Sequence, residues 1–288
     1  MTASDAFDPV EFKRNSRTEW SSAAAGWQKW LHVVEAEEGG QRQSAKLVDL
    51  AGLRPGASVL DVGGGYGEPS LTAARVVGPL GRVVCTDISP EMLALARQRA
   101  ADAKLDNVEF IACDAEELEF DTESFDAVLS RAALMFLPDV GGTLRRLRTF
   151  LRPGGRLAAS VWGPLPEVHF AAAFPVVVQE LELPTPPKGL PGAFALGDPD
   201  KLAALVSGAG FQGVETGTVS VVFETDTPEQ YTEFIRDVAP QLSALVSRHP
   251  TDVQERVWGK VTEAYRQFLD PKGRVRTDNQ AIWVTGMN

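Results

Sequence analysis

Only two cysteines, Cys85 and Cys113, occur in the 288 residues, too few for a disulfide framework or a four-thiolate metal site. Histidine is nearly as scarce, with His32, His169 and His249 the only three. No spacing among histidine, cysteine and acidic residues reads as a metal-ligand motif, so no metal is expected. Positive charge is in deficit. Lys plus Arg is 28 against 39 for Asp plus Glu, a formal net charge of −11. Such a surface repels phosphodiester backbones and anionic lipid headgroups, so neither nucleic acid nor a membrane is an expected partner. Long apolar runs are missing too: the uncharged stretch from Val168 to Gln179 falls well short of the ~18 residues that cross a bilayer. The first fifteen residues are polar and acidic, with no apolar signal core. The expectation is a cytoplasmic enzyme.

What is present is an ordinary globular balance, 44% hydrophobic and 23% charged, enough to bury a full core. The length is about twice a typical domain of roughly 150 residues, which fits one large α/β domain or a core with one elaboration. The first fifty residues read as helical, with Trp20, Trp27 and Trp30 at i, i+7 and i+10 expected along one stripe. Gly39–Gly40 breaks this stretch, and Gln43 to Leu53 resumes a helical pattern. Strands and helices then alternate: strands at Ala57–Val62, Arg82–Thr86, Val108–Ala112, Phe125–Ser130 and Gly155–Trp162, helices at Pro69–Val77, Pro90–Ala103 and Val140–Leu151. That alternation predicts a parallel sheet with helices on both faces.

After Trp162 the rhythm changes. An apolar helix is expected over His169–Leu181, followed by the proline-rich stretch Pro184–Pro191, read together as an excursion from the sheet. A helix at Asp198–Ser207 and an alternating strand at Val214–Glu224 return to it. Thr227-Pro228-Glu229-Gln230 is a helix start with cap, proline and capping-box glutamine. A second helix is expected over Val253–Leu269 and a short closing strand over Ala281–Thr285. No internal repeat is present.

The sharpest feature is Val59-Leu-Asp-Val-Gly-Gly-Gly-Tyr-Gly67, which follows a strand and opens a helix. Its glycines permit a tight turn and close approach of a ligand to the main chain. It fails the dinucleotide fingerprint, because the last small residue of that pattern falls on Glu68 or Ser70. Glu68 at the helix start also repels a pyrophosphate, and no Gly-Lys-Ser/Thr of a Walker loop follows. NAD and ATP are disfavoured. A nucleoside with a zwitterionic amino-acid end and no phosphates fits better. Asp87 closes the second strand, where a carboxylate can accept from both hydroxyls of a ribose, and Asp114 closes the third, where it can accept from an exocyclic amine.

The ordered set Asp61-x-Gly63-x-Gly65-x-Gly67, Thr86-Asp-Ile-Ser-Pro-Glu-Met92, Cys113-Asp-Ala-Glu-Glu117, Ser124-Phe-Asp-Ala-Val128 and Leu151-Arg-Pro-Gly-Gly155 resembles a class I S-adenosylmethionine-dependent methyltransferase. Within that class it is similar to the ubiquinone/menaquinone-biosynthesis subgroup, over about Ala51 to Gly163. The resemblance implies a Rossmann-like, seven-stranded, mostly parallel sheet with helices on both faces, plus an N-terminal helical lid and helical cap insertions. On that reading residues 1–50 are the lid, 51–163 the S-adenosylmethionine-binding core and 164–197 the cap excursion. Residues 198–288 complete the core, with a helical insertion at 227–269.

The same resemblance places Gly63, Gly65 and Gly67 under the methionine portion, with Tyr66 touching the cofactor. Asp87 would hold the ribose, Ile88 and Met92 would flank the adenine, and Asp114 with the backbone of Ala115 would read its amine and ring nitrogen. Ser130 and Arg131 would line the sulfonium region. Where subgroup members often carry a histidine pair after this strand, this chain has Leu134-Met135-Phe136, and the resemblance stops short of quinone specificity.

The expected reaction is O- or C-methylation of a small, largely apolar or aromatic acceptor. Trp27, Trp30 and His169 are the expected acceptor contacts, with Trp27 preferred because Ala23-Ala-Ala-Gly26 before it leaves little bulk. No general base is assigned, since each histidine also reads as a solvated or packed imidazole. Cys85 and Cys113 read as small buried residues, and two thiols do not supply the thiolates an arsenic methyltransferase needs. The alternatives left open are a cyclase or decarboxylase that uses the cofactor structurally, and a non-catalytic binding protein on the same fold. A homodimer is also left open.

Overall fold

The computed structural model describes residues 7–184 and 189–288. The chain opens with α1 (Pro9–Lys29), started by Asp8, whose carboxylate accepts from Val10 N at 2.9 Å. A short α2 (Leu31–Val34) and a wide turn at Glu37–Gln41, bent at Gly39, lead into α3 (Arg42–Leu50). Then come β1 (Ser58–Val62), α4 (Ser70–Val77), β2 (Arg82–Asp87), α5 (Pro90–Asp102) and β3 (Val108–Ala112). Ser89 caps α5 as the sequence predicts, its Oγ accepting from Met92 N at 3.1 Å. β4 (Phe125–Arg131), α6 (Val140–Phe150), β5 (Leu151–Trp162) and α7 (Ala173–Glu180) follow. The remainder is α8 (Pro199–Gly208), β6 (Gln212–Thr225), α9 (Pro228–Val238), α10 (Pro240–Ser247), α11 (Thr251–Tyr265) and β7 (Val275–Met287).

These strands form one seven-stranded sheet in the order β3-β2-β1-β4-β5-β7-β6. β1 to β5 run parallel, and β7 lies antiparallel between β5 and β6. This is the Rossmann-like architecture expected. Strand alternation distributes the core: Leu60, Val84 and Val128 face α6 and α8, while their neighbours Val59, Val83, Ala127 and Leu129 face α3 and α4. A third apolar cluster stands over the carboxyl edge, built from α7, α9, α10 and α11 with Trp30, Val33 and Val34 of the N-terminal arm.

Three expectations change. β7 spans Val275–Met287, far longer than Ala281–Thr285, because Thr277 and Asn279 are fully buried polar residues that hide its periodicity. Asn279 donates to Val221 O at 2.9 Å and accepts from Phe170 N at 2.7 Å; Thr277 bonds the Tyr231 hydroxyl at 2.5 Å. The expected pair of helices over 227–269 is three, since Pro240 starts α10 directly after α9. The helix expected over His169–Leu181 begins as a 3-10 turn and is α-helical only from Ala173. Within the proline-rich stretch, residues 185–188 lie outside the described residues.

The arm is fastened to α9. Lys29 Nζ bonds Glu233 and Asp237 at 2.6 and 2.7 Å, and α1 reaches α9 closely at Gly26. A Cβ at Gly26 would stand 2.8 Å from Asp237 Cβ and 2.9 Å from its carbonyl carbon. An exposed helical glycine gains about 1 kcal/mol on change to alanine, but here the methyl must push two helices apart. Gly26→Ala is expected to destabilise the protein by about 1–3 kcal/mol, measured as a lower thermal midpoint. A raised midpoint would show that the helices separate without cost.

Candidate functional site

The strand order reverses beside β1, whose neighbours β2 and β4 lead to opposite edges, and ligands of open α/β sheets bind at the carboxyl side of such a point. A cavity lies there. Gly63 N and Gly64 N donate to Thr86 O at 2.8 and 2.9 Å, and Gly65 N donates to Asp87 Oδ2 at 2.9 Å, which lays the glycine loop across the end of β2. Gly65 has φ +52°, the left-handed region that favours glycine. Gly64, which sequence reasoning passed over, is required by space: a Cβ there would stand 2.8 Å from the Asp61 carboxylate.

The loop glycines Gly63 and Gly65, with Tyr66, form part of the cavity wall. Beside them lie Asp87, Ile88 and Met92 from the β2–α5 corner. Asp114 and Ala115 follow at the end of β3, and Arg131 at the end of β4. Gly67 and Ser130 are not in the lining. A Cβ on Gly67 would meet Leu71 and Ala96, each at 3.2 Å, so this glycine faces the α4–α5 packing. Ser130 is fully buried and donates to Val62 O at 2.9 Å, tying β4 to β1 below the cavity.

The aromatic stripe divides. α1 lies along the open side of the cavity, presenting Lys13, Ser16, Trp20 and Trp27 to it. The Trp27 ring stacks on Tyr66 at 5.1 Å, and Trp20 meets Phe136 edge-on at 5.3 Å. Trp30 goes elsewhere, a correction to its expected acceptor contact. The helix ends at Lys29, and Trp30 turns into the third core cluster. There it is 6% exposed, bonds Asp237 through Nε1 at 2.8 Å and packs edge-on against Phe234. His169 also stays away from the cavity: its ring stacks on Phe268 at 5.1 Å, because the 3-10 turn that carries it packs beneath the end of α11. His32 stacks on Trp30 at 5.8 Å.

Charges in the site are strongly conditioned by burial. Asp61 is fully buried; its Oδ2 accepts from Ser70 N at 3.0 Å and Ser70 Oγ at 2.6 Å, while Oδ1 has no partner among the described residues. Burial pushes its pKa up to about 7. Asp87 is raised to about 6 by burial, opposed by the amides of Ser89 and Gly65. Burial also pushes the Cys113 thiol to about 11 and the Cys85 thiol well above its ordinary range, leaving both in the inert thiol form. Burial works against the charge of Arg131, but the Glu35 carboxylate together with Tyr66 and Glu68 more than offsets it and holds the guanidinium above its ordinary value.

Two residues missed from the sequence complete the site. Lys13 reaches from α1 to Asp114 Oδ2 at 2.8 Å and Glu116 Oε2 at 2.6 Å. Glu35, between α2 and the wide turn, pairs with Arg131 at 2.9 Å and accepts from the Tyr66 hydroxyl at 2.6 Å. Lys13 carried a signal, since Lys13, Ser16 and Trp20 recur at i, i+3 and i+7 on one helical face. Glu35 carried none. Among the described residues no group of three or more His, Cys, Asp or Glu side chains is placed to hold a metal ion, and no helix is long and apolar enough to cross a membrane.

The raised carboxyls have a consequence for stability. Asp61 and Asp87 keep protons in the folded chain that the unfolded chain releases near the ordinary value of 3.8. Between those values the folded chain binds more protons than the unfolded one, so these groups' contribution to stability is lost as pH rises from about 4 to about 7. Asp61→Asn removes the larger share. Its thermal midpoint is expected to vary less with pH than wild type over this window; an unchanged slope would place the titration elsewhere.

With this geometry in place, similarity to known proteins is informative. Residues 53–181 match the family model described as a methyltransferase domain. The ubiquinone/menaquinone biosynthesis C-methyltransferase UbiE of Hahella chejuensis is 43% identical over 111 residues, covering 38% of this chain and 45% of that protein. The arsenite methyltransferase of Halobacterium salinarum is 34% identical over 189 residues, covering 65% of this chain and 43% of that protein. The chain thus spans about half the length, or less, of the curated relatives it matches. Among solved structures, the phosphoethanolamine N-methyltransferase 2 of Haemonchus contortus, in complex with phosphomonomethylethanolamine and S-adenosylhomocysteine, superposes with TM-score 0.60 at 19% identity, covering 98% of this chain and 61% of that one. The [4+2]-cyclase SpnF superposes with TM-score 0.60 at 18% identity, covering 95% and 96%. These two share the fold. Over residues 53–181 the chain is similar to a methyltransferase domain, and the likeness to the quinone-biosynthesis C-methyltransferases read from its motifs is confined to much the same stretch.

Proposed function

We propose that the protein is an S-adenosylmethionine-dependent methyltransferase acting by O- or C-methylation on a small, largely apolar or aromatic metabolite. One observation carries the reading. Asp87 and Asp114 stand at the ends of adjacent strands beside a glycine loop, in a cavity that continues between Trp20, Trp27, Phe136, Trp162, Val221 and Phe223. The polar half suits a nucleoside with a zwitterionic end, and the aromatic half suits an apolar acceptor.

The residues present fit such a cofactor. Each oxygen of Asp87 takes one backbone amide, from Gly65 at 2.9 Å and Ser89 at 2.8 Å, and a carboxylate has capacity left for two ribose hydroxyls. Asp114 is oriented by Glu116 N at 2.9 Å and by Lys13, with room to accept from an amine. When bound, the sulfonium supplies an activated methyl group. The protein's own task is to align the acceptor and exclude water, and α1 is placed for the second task as a lid. No histidine lines the cavity, so the acceptor reading favours a nucleophile that is readily ionised or is carbon. Cys85 is buried and Cys113, half-buried, is the one thiol in the cavity lining, too few to hold arsenite as the acceptor, despite the arsenite methyltransferase relative. A cytoplasmic setting with a small-molecule partner belongs to the same reading, supported by the net charge of −11.

Calorimetry with S-adenosylhomocysteine and NAD tests the cofactor: the first should bind and the second should not. Asp87→Ala removes an acceptor whose charge-assisted bonds are each worth about 1.5–3 kcal/mol, so affinity should fall by about tenfold or more. Ionised Asp87 is the better acceptor, and its pKa is about 6, so wild-type affinity should rise as pH rises through that value. Full affinity in folded Asp87→Ala places the ribose elsewhere. Transfer of labelled methyl from S-adenosylmethionine to a panel of phenols, quinones and prenyl compounds separates this function from a non-transferring enzyme on the same fold.

A further inference from the structure

Arg131 leaves the end of β4 within the protein, its side chain 6% exposed and that of Glu35 opposite it 10% exposed. Nη1 forms an ion pair with Glu35 Oε1 at 2.9 Å and donates to Gly40 O and Ser44 Oγ, each at 2.9 Å. Nη2 bonds the Tyr66 hydroxyl, and that hydroxyl donates to the same Glu35 oxygen at 2.6 Å. The three members of this triangle come from the N-terminal arm, the glycine loop and β4. Space around it is closed, since a Cβ on Gly40 would stand 2.8 Å from Arg131 Nη1.

Tyr66 and Arg131 line the cavity and Glu35 does not. Glu35 therefore acts from behind. The carboxylate Asp114, which Lys13 of α1 pairs with, closes the third strand, separated from β4 by β2 and β1, so the triangle serves the end of the cavity away from the nucleoside contacts. Arg131 presents a planar fork whose aim depends on what holds it. A buried guanidinium without a counter-charge is costly, so this fork keeps its place only while the arm supplies Glu35.

We propose that Glu35 is a positioning residue for the amino-acid end of the cofactor: it holds Arg131 and Tyr66 in the cavity wall, where they engage the zwitterion. The proposal rests on the methyltransferase reading. One Glu35 oxygen both accepts from the Tyr66 hydroxyl and pairs its charge with the guanidinium, whereas a glutamine either offers a single neutral oxygen or turns its NH₂ toward the guanidinium.

Two ligands separate this role from general support of the fold. S-adenosylhomocysteine carries the amino-acid end, and 5′-methylthioadenosine has the same nucleoside and sulfur without it. In calorimetry Glu35→Gln is expected to weaken S-adenosylhomocysteine by about tenfold or more, and 5′-methylthioadenosine by less than about threefold. Glu35→Asp, which keeps the charge, should recover part of the lost affinity. Equal weakening of both ligands, or unchanged S-adenosylhomocysteine affinity, overturns the proposal. If Glu35→Gln does not fold, Glu35→Asp, which draws the carboxylate back by one methylene, carries the same comparison: a selective loss supports the proposal and any other pattern overturns it. A wild-type protein that binds neither ligand removes the methyltransferase reading, and this proposal with it.

Discussion

Three backbone N–H groups tie the glycine loop to β2, two on Thr86 O and one on the Asp87 carboxylate, and the functional half of the molecule is arranged around that tie. It brings the loop so near β1 that position 64 has no room for a side chain, with the Asp61 carboxylate 2.8 Å from where a Cβ would stand. Asp61 in turn holds the start of α4 through Ser70. One carboxylate thus fixes the helix that leaves the loop, and another fixes the loop itself. Because both already accept from backbone and hydroxyl donors, the loop is shaped before any ligand arrives, and binding need not order it.

The cluster over the carboxyl edge determines how these charges behave. Helices α7, α9, α10 and α11 bury Tyr231, Phe234 and Tyr265 completely or nearly so, and Trp30, Val33 and Val34 of the arm join their cluster together with Tyr66 of the glycine loop. Removal of water raises Asp61 and Asp87 together. The same exclusion strengthens every electrostatic contact that a ligand makes there. The arm links this roof to the sheet at four places: Lys13 to β3's end, Ser21 to Ser89 at 3.0 Å, Trp27 to the loop, and Glu35 to β4's end. Each contact falls on a different strand end or its loop, so seating the arm and completing the cavity wall are one event.

How far the sequence foretold this depended on the range of each interaction. The glycine loop, Asp87 and Asp114 were legible because strand, turn and helix cap are neighbours along the chain. Trp30 was misplaced because a stripe drawn by spacing assumes that the helix continues, and α1 stops one residue earlier. β7 was cut short because its buried Thr277 and Asn279 satisfy their polar groups across the sheet and on Phe170, partners far away in sequence. Glu35 was invisible for the same reason: its meaning comes entirely from Tyr66 and Arg131, 31 and 96 positions further on. Hydrophobic periodicity reports which face is buried, and it is silent about which polar groups find each other.

The division between what similarity supplies and what it leaves to physics follows the same boundary. The matched methyltransferase domain ends at residue 181 and begins at residue 53, and it contains the glycine loop, both strand-end carboxylates and Arg131. Much of the aromatic half of the cavity lies outside it: Trp20 and Trp27 belong to α1, and Val221 and Phe223 to β6. The counter-charge for Arg131 lies outside it as well. On the proposed reading, the elements that would handle a methyl donor lie within the matched stretch, whereas the surfaces that would select an acceptor are contributed by the arm and the distal edge of the sheet. On that reading, those surfaces would suit an acceptor flat enough to pass between indole and phenyl rings, and acidic enough or carbon-nucleophilic enough to react without a histidine.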